Sequence, residues 1–97
     1  MQDQIKMDYP LMDEMKNTFK DGAEQLVTTM DDLKTIAEKL EGGALLGTAG
    51  DAFSDAVKNT LISQVRLLHS KFGELQQDID FAVNQMHQAE DKAKSSF

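Results

Sequence analysis

The side chains with chemistry to offer are few and scattered. His69 and His87 are the only histidines, eighteen positions apart. On one helix that is roughly 27 Å, too far to share a metal ion within a chain. His87 with Glu90 and Asp91 could touch a cation loosely, but they fall short of the ligand count of a metal site. Cysteine is absent, which removes thiolate ligands, disulfides and a thiol nucleophile together. Ser54, Ser63, Ser70, Ser95 and Ser96 have no histidine and acid in an evident triad arrangement. The glycine-rich stretch Gly42–Gly50 lacks the lysine of a phosphate loop and follows a helix-like segment rather than a strand. The expectation is a protein without catalytic, cofactor or metal residues, whose chemistry is that of contact.

Composition narrows the contact partners. The chain has 97 residues, one small domain's worth, with 10 basic and 17 acidic residues and a net charge of -7. An acidic surface argues against nucleic acid, which demands a basic one. No apolar run exceeds three residues, so neither a membrane span nor a signal-peptide core is expected. Pro10 is the single proline, and four of the six glycines (Gly42, Gly43, Gly47 and Gly50) fall within nine residues. This punctuation divides the chain into a short lead-in, a long segment, a glycine-rich connection and a second long segment.

Both long segments carry a helical stripe. In the first, Met12, Phe19, Leu26, Leu33 and Leu40 recur every seven residues, with Met15 and Met30 beside them. In the second, Leu61, Val65, Leu68, Phe72, Leu75, Ile79, Ala82, Met86, Ala89 and Ala93 alternate steps of four and three without a break. Chance would produce ten such apolar positions on the order of once in ten thousand. Phe53 and Val57 extend that stripe backwards, and Phe97 closes it. Asp8 or Tyr9 should cap the first helix ahead of Pro10, and Thr48 with Asp51 reads as a capping-box variant opening the second. The predicted fold is all-α and one domain over residues 1–97. Helix 1 covers about 10–41, a glycine-rich turn 42–48, and helix 2 about 49–97.

A short connection makes the two helices fold back as an antiparallel hairpin. Each then covers only one side of the other's stripe. A buried Leu or Phe contributes roughly 1.5–3 kcal/mol, against about 1–2 kcal/mol of backbone entropy per ordered residue. A lone hairpin is therefore marginal, and the seven-residue spacing predicts a dimer of hairpins forming a four-helix bundle. The unequal lengths predict that Phe81 to Phe97 project beyond helix 1 with an apolar seam still to be covered. Gly22 lies on the seam, where close helix approach explains it; Gly73 has no such explanation.

The stretch from Leu45 to Phe53 resembles the turn of the WXG-motif family, the ESAT-like (early secreted antigenic target) substrates of type VII secretion. Gly47 stands at the motif glycine, Ala49 and Phe53 match the family's small residue and later aromatic, and Leu45 stands where tryptophan is expected. Met86, Glu90, Ala93 and Phe97 fit the spacing of the family's C-terminal export pattern, with methionine where the better-known signal has tyrosine. The resemblance implies a small hairpin that pairs with itself or a related hairpin and is handled by an ATPase-driven secretion machine. It also implies a larger effector as a further partner. Such a protein is made in the cytoplasm and secreted without a cleaved signal peptide, with the cell surface as one destination. No nucleic acid and no stable membrane insertion are implied. The alternative reading is a cytoplasmic helical adaptor with no export role. A membrane-surface helix is disfavoured because the polar faces are acid-rich.

Overall fold

The computed structural model describes residues 6–44 and 47–95. Helix α1 runs Tyr9–Lys39, and the chain kinks out of helical geometry within Leu40–Ala44, at Gly43. Helix α2 runs Thr48–Asp55, passes through a π-turn, Ala56–Leu61, and continues as α3, Ile62–Ser95. Functionally these are two long antiparallel helices, and the molecule measures 75 × 19 × 19 Å. Its radius of gyration is 21.8 Å, against about 13 Å for a compact domain of about 100 residues. A rod of this shape exposes most of its surface.

Local chemistry sets the ends of the helices. Asp8 is the N-cap of α1: its Oδ1 accepts from the Leu11 N–H at 3.0 Å, and Pro10 sits in the first turn where its missing donor costs nothing. The connection turns through two glycines with positive φ, Gly43 (107°) and Gly47 (90°), conformations that side chains resist. The capping of helix 2 differs from expectation. Gly47, not Thr48, is the N-cap; its carbonyl accepts the Asp51 N–H at 3.1 Å and no side chain closes the end. The positive φ needed to leave the turn falls on Gly47, which places Thr48 inside the first helical turn.

Few residues are fully enclosed. The best-packed region lies near the turn, where Ala37, Val57 and Ile62 are buried with Leu33 and Leu40 against them. Midway along, Phe19 meets Phe72 edge-on with centroids 5.5 Å apart. Gly22 lies under that ring: a Cβ added there would sit 2.7 Å from Phe72 Cε2. This is the close approach expected at Gly22, whereas a Cβ on Gly73 would meet nothing within 4 Å.

The projecting tail predicted for residues 81–97 is not observed over most of its length. Tyr9 reaches Glu90, Lys16 reaches Asp80, and Glu41 pairs with Lys58. These pairs centre on residues 48 to 50, several positions beyond the middle of the glycine stretch. The reason is that α2 packs on Leu40–Ala44 and extends past the end of α1. The overhang is therefore at the turn end.

The two glycines predict opposite mutational outcomes. Gly73→Ala removes a helix-interior glycine worth about 1 kcal/mol and should raise the melting temperature by roughly 4–8 °C. Gly22→Ala makes the same propensity gain but forces the Phe72 ring aside, an overpacking cost of about 1–3 kcal/mol. Thermal melts by circular dichroism should show no gain, or a loss, for Gly22→Ala.

Candidate functional site

The stripe of helix 2 is wider than the hairpin uses. Val65, Phe72, Ile79 and Met86 turn towards α1 and are buried or half-buried. The positions that complete the internal seam are Ile62, His69, Gln76, Val83 and Glu90, each buried or half-buried. The other half of the sequence stripe, Leu61, Leu68, Leu75 and Ala89, is exposed, while Ala82 is half-buried. Ala93 is exposed near the helix end. Leu45 and Phe97 lie outside the described residues.

Helix 1 divides in the same way. Met12, Phe19, Leu26, Leu33 and Leu40 are half-buried, and Ala23, Met30 and Ala37 complete the inner side. Met15 and Ile36 are exposed, at 38% and 45%. Antiparallel helices are related by a two-fold axis perpendicular to the plane that holds them. Residues three positions after the seam residue on each helix, Met15 after Met12 and Leu68 after Val65, therefore fall on the same side of the hairpin.

The π-turn brings Phe53 to that face. Inward residues run Ser54, Val57, Ile62 and Val65, so the step from Val57 to Ile62 is five residues wide. Counting one residue as absorbed by the turn, Phe53 stands one heptad before Leu61 and on the same edge. Phe53 and Leu61 line an open apolar groove of about 290 Å³ with Ala56, Val57, Thr60 and Gln64. Phe53, Leu61, Leu68 and Leu75 thus lie exposed along one side, with Met15 and Ile36 exposed on the same side of α1. Periodicity marks these residues as apolar, but does not show that they miss the internal seam. The polar seam residues His69, Gln76 and Glu90 are not marked by it, because an apolar pattern does not register polar positions.

The open end of the hairpin carries a different arrangement. The Tyr9 ring stacks on His87, with centroids 4.3 Å apart and planes 2° from parallel. Its hydroxyl donates to Glu90 Oε1 at 2.8 Å. Glu90 Oε2 lies 3.9 Å from His87 Nδ1, which makes an ion pair only when the imidazole is protonated. Beside them a groove of about 230 Å³ is walled by Asp13, Lys16, Ile79, Asp80 and Val83, with Lys16 bonded to Asp80 at 2.7 Å. The Tyr9 phenol is pushed up to about 12, by partial burial first, then by the hydrogen bond to Glu90 and the negative charges of Glu90 and Asp91. Sequence spacing does not connect Tyr9 with Glu90, because the pairing register depends on the overhang of α2.

The described residues form an elongated all-helical hairpin with an apolar side. No cluster of three or more metal-binding side chains occurs among the described residues. No described helix is long and apolar enough to cross a membrane. The family model for WXG100, proteins of 100 residues with WXG, matches residues 4–91. The chain belongs to the WXG100 family, which associates it with type VII secretion. Members of that family are generally non-enzymatic and typically form hairpin dimers. No curated protein and no solved structure matches the chain.

With one tyrosine and no tryptophan, ultraviolet titration reports Tyr9 alone. The midpoint should lie near 12 and fall towards the ordinary value of about 10 in Glu90→Ala. A raised value means the folded hairpin favours the neutral phenol. That contribution to stability is complete below about pH 10 and is lost as pH rises through about 12. A wild-type midpoint of about 10 would show that the Tyr9–Glu90 bond does not form in solution.

Proposed function

We propose that this protein is a secreted helical hairpin acting through protein–protein contact, a substrate of type VII secretion or a targeting partner for a larger effector. The observation that carries the reading is the apolar side built from Phe53, Leu61, Leu68 and Leu75 with Met15 and Ile36. It is left over after the hairpin has closed. A second hairpin, identical or related, is the occupant whose shape and seven-residue spacing match it, and closure gives a four-helix bundle.

Export is the second half of the proposal. Met86, Glu90, Ala93 and Phe97 form the C-terminal pattern read by the secretion ATPase, and Leu45 with Gly47 forms the turn motif. Glu90 is half-buried and Ala93 exposed, so a carboxylate and a small apolar surface are offered together at the end of the rod. A composite of apolar anchors and one charge suits a partner groove. Release follows the route without a cleaved signal peptide, and the cell surface is one site of retention.

Two substitutions separate pairing from export. Leu68→Asp places a carboxylate in the centre of the apolar side and should weaken association by about tenfold or more, since burying an unpaired charge is costly. Sedimentation equilibrium measures it. Glu90→Ala should leave association unchanged and lower the amount of protein reaching the culture medium in a host with an intact secretion ATPase. Equal export of Glu90→Ala and wild type would remove Glu90 from the signal. Wild-type protein that stays in the cells regardless of the ATPase would favour the cytoplasmic adaptor.

A further inference from the structure

The end of the rod opposite the turn joins residues from both termini of the chain. Tyr9 and Glu90 are 81 positions apart and hydrogen-bonded at 2.8 Å. Tyr9 is itself fixed, because the Asp8 cap and Pro10 define the first turn of α1 around it. His87, one turn before Glu90, backs the Tyr9 ring face to face. Glu90 is thus held on one oxygen by a group from the other helix, while its second oxygen faces His87 Nδ1.

An exposed glutamate near the end of a helix normally samples several rotamers, and a partner that binds it must stop that motion. Here the bond from Tyr9 selects one of them in advance. Preorganisation of this kind raises affinity by removing an ordering cost from the binding step. It also makes the arrangement conditional on the fold. If the helices separate, or if the first turn of α1 unwinds, Glu90 loses its fixed position although α3 itself can remain helical.

We propose that Tyr9 and His87 are positioning residues for Glu90, so that the C-terminal docking element is assembled from both helices and is presented only by the closed hairpin. The inference rests on the reading of Glu90 as part of an export signal and adds the two side chains that hold its carboxylate in one orientation. Asp13, Lys16, Asp80 and Asp91 are charged groups near the cluster. Lys16 and Asp80 bond each other two turns further into the hairpin, so they strengthen the same end without touching Glu90.

The test uses full-length chains expressed in a host with the intact secretion ATPase. Tyr9→Phe keeps the ring and its stacking and deletes the hydroxyl. Export should fall roughly two- to tenfold, the range expected when one ordered side chain is set free. Helicity and oligomeric state should match wild type. Tyr9→Phe combined with Glu90→Ala should be no worse than Glu90→Ala alone, because the hydroxyl acts through that carboxylate. Lys16→Ala, which removes the neighbouring ion pair with Asp80 and leaves the Tyr9–Glu90 bond in place, should export normally. In solution, Tyr9 fluorescence should rise in Glu90→Ala as the carboxylate that quenches it is removed. Normal export of Tyr9→Phe beside defective export of Glu90→Ala would overturn the positioning role and leave the signal standing. An equal defect in Lys16→Ala would overturn it too, reducing Tyr9 to a structural tie. Normal export of Glu90→Ala would overturn both the proposal and the signal on which it rests.

Discussion

A helix packed against a single neighbour buries one edge of its surface, and a two-helix hairpin has no third element to cover what remains. In this chain the apolar stripe on each helix is broader than that edge. No large side chain among the described residues is completely enclosed, and Phe53, Leu61, Leu68 and Leu75 stay in contact with water. Hydrophobic burial is the main favourable term in folding, so this exposed second edge is the constraint against which the rest of the structure is read. The outer faces are acid-rich, though Leu67 and Phe81 are also exposed there, at 54% and 66%.

The irregular features serve that division. The π-turn at Ala56–Leu61 shifts the register by one residue, which lets Val57 and Ile62 both face inward while Phe53 and Leu61 share the outer edge. An uninterrupted α-helix would carry one of these pairs off its face. Gly22 allows Phe72 to lie across α1 and brings the two helices together at mid-length. At the open end, where apolar contact thins out, polar ties take over: Lys16 with Asp80, and Tyr9 with His87 and Glu90. The hairpin is closed by packing near the turn and by directional bonds near the termini.

The all-helical hairpin was legible because heptad spacing is a direct imprint of helix geometry. Val65, Phe72, Ile79 and Met86 could be placed on the stripe without any structure. What periodicity does not encode is which edge of the stripe meets which partner. Leu61, Leu68 and Leu75 read as seam residues because they are apolar, yet Ile62, His69 and Gln76 take the internal places. The stripe sums all surfaces that avoid water, whether they are covered within the chain or beyond it. Long polar side chains such as Gln76 lie along the edge of a seam with their stems packed and their heads wet. The Tyr9–Glu90 pair escaped detection for another reason. Its register depends on the overhang of α2, and a glycine count locates a turn without showing how far the next helix extends past it.

The dependence of folding on a covered outer edge is open to one direct measurement: molar mass and helicity followed together across a dilution series of the wild-type chain. With self-pairing, the chain of 10.8 kDa should be a helical dimer that loses mass and helicity in step on dilution. If the mate is a related hairpin, the isolated chain should be poorly helical until that mate is added. A monomer at micromolar concentration that keeps full helicity and melts cooperatively would contradict the dependence, because two helices would then suffice.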